Sequence, residues 1–72
     1  MKKRSFAIEG HRTSIALEPE FWAALETVSK RNNQSLAALV SEVDRARALD
    51  PAKPGLASAL RVFALRQAGA SR

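Results

Sequence analysis

Polar and apolar residues alternate along His11 to Leu17, with Thr13, Ile15 and Leu17 on one face and Arg12, Ser14 and Ala16 on the other. The β-branched Thr13 and Ile15 favour the extended state, so the pattern predicts a strand with one buried face. Glu18-Pro19 stops it. Proline suits the first turn of a helix, where its missing N–H costs nothing, and Glu18 and Glu20 complement the positive helix start. Phe21, Trp22, Leu25 and Val28 then recur at helical spacing, with Glu26 and Lys30 one turn apart on the outside. This helix should run from Pro19 to about Arg31 and end at Asn32-Asn33, because Asn tolerates the left-handed conformation.

Ser35 is a good N-cap for a second helix whose stripe is Leu36, Leu39, Val40 and Val43, reaching Ala48 or Leu49. Asp50-Pro51 and Pro54-Gly55 bracket a loop. A third helix is expected over Leu56–Ala68, with Leu56, Leu60 and Phe63 on one side and Val62 and Leu65 as a second apolar edge. Gly69 to Arg72 should fray. Before the strand, Met1 to Glu9 reads as a basic arm, disordered over residues 1–4, in which Phe6 and Ile8 add at most a short extended segment. No internal repeat and no low-complexity tract is expected. The chain thus divides into an arm at 1–9, a core at 10–49, and a loop, helix and short tail at 50–72.

Composition changes the picture by raising a question of partners. A lone strand cannot satisfy its own backbone groups, and this pattern offers almost no other strand. The chain has 72 residues, no Cys and one His, so disulfides and thiolate metal sites are excluded and His11 cannot build a metal cage alone. Oligomerisation is the remaining source of core. The economical arrangement pairs the strands of two chains antiparallel about a two-fold axis, with Ile15, Leu17, Trp22, Leu25, Leu39 and Val40 in one shared core.

The net charge of +5 is unevenly spread: residues 1–17 carry +3, residues 18–44 carry −3 and residues 45–72 carry +5. That split suggests a polyanion approached from the strand side. The start, MKKRSFAIEGHR, has the basic cluster of a signal peptide, but Glu9, Gly10, His11 and Arg12 cut off any apolar stretch. No run approaches the roughly 18–20 residues of a membrane span. A cytoplasmic protein without a membrane partner is expected.

In HRTSIALEPEFWAAL, the NNQSLAALVSEVD that follows and the later LASALRVFAL, the chain resembles the ribbon-helix-helix family, especially its short bacterial stand-alone domains. The resemblance covers about residues 5–66. It implies an α+β, mostly helical fold: an intertwined homodimer with an intermolecular two-stranded antiparallel β-ribbon, here with an added C-terminal helix. It also implies double-stranded DNA as partner and transcription regulation as the role; no enzymatic activity and no cofactor are expected. Such a ribbon enters the major groove, so the resemblance makes Arg12, Ser14 and Ala16 the base contacts. Arg12 would donate to guanine O6 and N7, Ser14 would donate or accept, and Ala16 would touch a thymine methyl. The family clamps a phosphate at the start of its second helix, which here is Ser35 with the N–H groups of Leu36 and Ala37. Lys2, Lys3 and Arg4 would add phosphate contacts. Two departures stand out: Ala16 replaces a polar or basic residue common in relatives, leaving fewer hydrogen bonds on the reading face, and Asn32-Asn33 replaces a common glycine.

Without the resemblance, Arg12 is a solubilising charge on an exposed face. Ser35 caps its helix whatever else it does. His11 ends the ribbon or touches a phosphate, and Trp22, beside Phe21 on the helical stripe, belongs to the core rather than to a stacking platform. Ser41, Glu42 and Asp44 form a solvated face. The alternative function is a protein-interaction or antitoxin-like dimerisation module using the C-terminal helix, against which the short tail counts. One His, no Cys and no Tyr supply no convincing catalytic group.

Overall fold

The computed structural model describes residues 1–70, in the order β1 (Lys2–Ile8), β2 (His11–Leu17), α1 (Pro19–Arg31), α2 (Leu36–Ala48) and α3 (Leu56–Ala70). The expected β2, α1 and α2 are present at the expected bounds, while α3 runs on through Gly69 and Ala70 instead of fraying there. Ser71 and Arg72, the rest of the expected frayed tail, lie outside the described residues.

The start of the chain requires a correction. Residues 2–8 are a full strand rather than an arm, and β1 pairs with β2 antiparallel, from Lys2 opposite Leu17 to Ile8 opposite His11. The backbone partner of β2 is therefore its own chain, and strand pairing does not require a second copy. Glu9 and Gly10 make the turn with φ of 52° and 79°. Positive φ at both central residues is what a type I′ turn demands, and that turn matches the twist of the flanking strands. Glu9 is strained there, since a side chain in this region costs about 1–2 kcal/mol. Its carboxylate is held by α2, accepting from Ser41 Oγ at 3.2 Å and Arg45 Nη1 at 3.4 Å.

One aromatic side chain fastens β1 to the helices. Trp22 of α1 is buried, donates its indole N–H to the Lys2 carbonyl at 2.8 Å and lies 5.9 Å from the Phe6 ring. Arg4 stands 5.0 Å over the same indole and pairs with Glu26 at 2.7 Å. Indole N–H, ring face and neighbouring acid thus grip three residues of β1. Glu26, expected to face outward toward Lys30, instead faces the sheet.

The helices cover the inner face of the hairpin. Ile8, Ile15 and Leu17 from the strands meet Trp22, Leu25 and Val28 of α1, Leu39, Val40 and Val43 of α2, and Leu60 and Ala64 of α3. Ile15, Leu17, Trp22, Leu25, Leu39 and Val40 are each at most 4% exposed within one chain. These six side chains, expected in a core shared by two chains, are thus already buried within one chain. The strand supplied by residues 2–8 and the third helix provide the apolar surface that the length seemed to deny.

Helix ends follow the local chemistry. Ser35 Oγ accepts from Ala38 N–H at 3.1 Å as the N-cap of α2, and Asn33 takes the left-handed conformation after α1 with φ of 57°. Glu18 holds α3 to the start of α1: Arg61 donates to its carboxylate at 3.0 and 3.4 Å and lies 5.9 Å from the Phe21 ring. Hydrogen bonding from Arg61, then from the backbone, depresses the Glu18 pKa despite partial desolvation. A carboxylate lowered on folding adds stability above its unfolded value, lost as pH falls through the folded one. In Arg61→Ala the Glu18 resonance should titrate at a higher pH, and acid unfolding should begin at a higher pH than in the wild type. An unchanged Glu18 titration by NMR would refute the assignment.

Candidate nucleic-acid interface

The face of the hairpin turned away from the helices carries two triplets. Lys3, Ser5 and Ala7 come from β1, and Arg12, Ser14 and Ala16 come from β2. The register sets Lys3 opposite Ala16, Ser5 opposite Ser14, and Ala7 opposite Arg12. Ser5 and Ser14 are hydrogen-bonded through their hydroxyls at 3.0 Å. In a two-residue hairpin the pair flanking the turn exchanges backbone hydrogen bonds and every second pair repeats this. The three outer rows are then the closely spaced pairs, which accounts for the short serine contact. Lys3 and Arg12 are exposed, and neither has a hydrogen-bond or ion-pair partner among the described residues.

All three expected base contacts share this face, with Ala16 half-buried and Arg12 and Ser14 exposed. The phosphate set divides. Lys2 and Lys3 are exposed, but Arg4 lies on the inner face and is committed to Glu26 and Trp22, so its expected phosphate contact is withdrawn. At the start of α2, Ser35 Oγ and carbonyl are used for capping by Ala38 and Leu39 N–H, whereas the N–H groups of Leu36 and Ala37 take no partner among the described residues. Two backbone donors at the positive end of a helix can receive an anion. His11 flanks the turn, exposed, as the expected end of the ribbon. Ser5 and Ala7 were missed because residues 1–9 read as an arm. The missed signal is the turn, since Glu9-Gly10 is a weak relative of the usual Asn-Gly pair.

The sequence matches the ribbon-helix-helix domain over residues 1–68. The chain belongs to the ribbon-helix-helix family. The match includes the hairpin's first strand and nearly all of α3. Ribbon-helix-helix domains are, as a family, DNA-binding transcription regulators that usually bind DNA as dimers, and they are typically non-enzymatic. Neither a curated protein nor a solved structure matches the chain. Among the described residues no acidic or imidazole group of three is placed to hold a metal, and no helix is long and apolar enough to cross a membrane.

Proposed function

We propose that this ribbon-helix-helix protein is a small homodimeric transcriptional regulator of the cytoplasm that reads duplex DNA with the outer face of its hairpin. The observation that carries this reading is the placement of Arg12 and Ser14, exposed and unshielded, on the one sheet face the helices leave bare. Two strands lie about 4.8 Å apart, and the major groove is about 12 Å wide, so a two-stranded ribbon fits while a four-stranded sheet of roughly 14 Å does not. The hairpin is therefore the inserting unit. Arg12 donates to guanine O6 and N7, Ser14 and Ala16 meet neighbouring base edges, and Lys2 with the N–H groups of Ser35's helix, Leu36 and Ala37, engages phosphates.

The test is titration of the protein with duplex pools at low salt, repeated with Arg12→Ala. Wild type should bind at micromolar concentration or below. Arg12→Ala should lose about 1–3 kcal/mol of discrimination between its preferred and competing sequences, with weak loss on non-specific duplex. Absence of any duplex binding at micromolar wild-type protein would end this reading. A stoichiometric protein partner that survives nuclease treatment and sits on α3 would instead favour an interaction module.

A further inference from the structure

The hairpin register exposes a repeat that the chain's linear pattern conceals. Lys3-Arg4-Ser5-Phe6-Ala7-Ile8 and Arg12-Thr13-Ser14-Ile15-Ala16-Leu17 both read cation, any residue, Ser, large apolar, Ala, large aliphatic. Only Ser and Ala are identical, which is why the expectation of no internal repeat fails only once the two strands lie side by side. The register makes the repeat a symmetry. Ser5 pairs with Ser14, and the Lys3–Ala16 row is the two-fold image of the Arg12–Ala7 row. A local two-fold axis thus passes through the hydrogen-bonded Ser5–Ser14 pair and exchanges β1 with β2. The inner face obeys it too, Phe6 mapping to Ile15 and Ile8 to Leu17, with Ile8, Ile15 and Leu17 buried in the core and Phe6 packed against it.

Resting on the DNA-binding reading above, we propose that one chain reads a short, near-palindromic DNA element by itself, with Lys3 and Arg12 as equivalent base readers on its two halves. Lys3 is thereby a specificity residue rather than a phosphate contact, and Ser5 is the counterpart of Ser14. Both cations are exposed and unpaired among the described residues, both sit beside an alanine of the other strand, and both donate to the same guanine acceptors. The inner cation Arg4 breaks the symmetry where no base can reach. From the Lys3 row to the Arg12 row is four residue steps, about 14 Å at about 3.4 Å each, or roughly four base pairs of rise. The two halves differ only as lysine differs from arginine: a point charge with rotatable donors against a planar fork. The Arg12 half should be the stricter one.

Selection of duplexes from a random pool, with wild type, Arg12→Ala, Lys3→Ala and Lys3→Arg, tests this. Wild type should recover an element with a guanine on each strand at symmetry-related positions. Arg12→Ala should erase one guanine and leave its mate, Lys3→Ala should erase the mate and leave the first, each by about 10-fold or more in preference, and Lys3→Arg should sharpen the weaker half. If Arg12→Ala erases both guanines together while Lys3→Ala lowers affinity on all duplexes alike, the two halves come from two chains and the proposal is overturned, with DNA binding intact. Complete absence of duplex binding by wild type would defeat the DNA-binding reading itself, and this proposal with it.

Discussion

Trp22→Ala should lower unfolding free energy by about 3–5 kcal/mol, the range for emptying a buried large aromatic site. A domain of this length has roughly 4–11 kcal/mol in hand at the usual stability per residue, so the variant should forfeit a quarter of its stability at the least and nearly all of it at the lower end of that range. The loss has three sources in the structure: burial of the indole among Leu25 and the strand residues, the 2.8 Å hydrogen bond to the Lys2 carbonyl, and the seat of the Arg4 guanidinium. The strand should suffer first. Once the indole is gone, Arg4 keeps only Glu26, a partly exposed pair of small worth, and the start of β1 has no other side chain of α1 holding its backbone. Hydrogen exchange should therefore accelerate at Lys2–Ser5 before it does in α2. Trp22→Phe, which keeps a ring but no donor, should lose less and retain a cooperative transition. An unfolding free energy for Trp22→Ala, from denaturant titration, within about 1 kcal/mol of wild type would show that the indole is not the fastener of β1.

The second large effect is the salt dependence of DNA affinity. With Lys2, Lys3 and Arg12 on the ribbon and two backbone donors at α2, each chain of the proposed dimer brings five favourable charges or donors to DNA, ten for the pair. Affinity should then fall about 10³-fold or more between roughly 50 and 200 mM monovalent salt, because each neutralised phosphate releases counterions. Lys2→Ala should flatten the log–log slope by about two for a dimer, one unit per chain, without altering base preference. Arg4→Ala should leave the slope unchanged and lower stability instead, since that guanidinium is turned toward Glu26. A salt-independent affinity would remove phosphate contact from the account.

Most of the helical part was legible because apolar spacing and end signals agreed. Leu39, Val40 and Val43 form one stripe, Ser35 caps it, and Asn33 bends out of α1 as its tolerance for positive φ suggests. The ribbon was half legible. His11–Leu17 alternates cleanly, but three consecutive cations at Lys2, Lys3 and Arg4 mimic a solvated tail. Their alternation emerges only when Trp22 and Glu26 are seen to take Arg4 inward. The mate of β2 within its own chain was hidden for the same reason. Once β1 is a tail, β2 has no mate in its own chain, and two-chain pairing is the logical remedy. Glu9 completed the concealment, since a turn that prefers Asn accepts Glu here with help from Ser41 and Arg45 on a distant helix.

Joining both ribbon strands through Glu9 and Gly10 has an evolutionary corollary. When identical polypeptides each lend a strand, one codon change alters both edges simultaneously, and operator and protein must stay matched twice over. Under the proposed single-chain reading, codons 3 and 12 mutate independently, so drift at one leaves its mirror position untouched, and a regulatory site can lose its symmetry one base at a time.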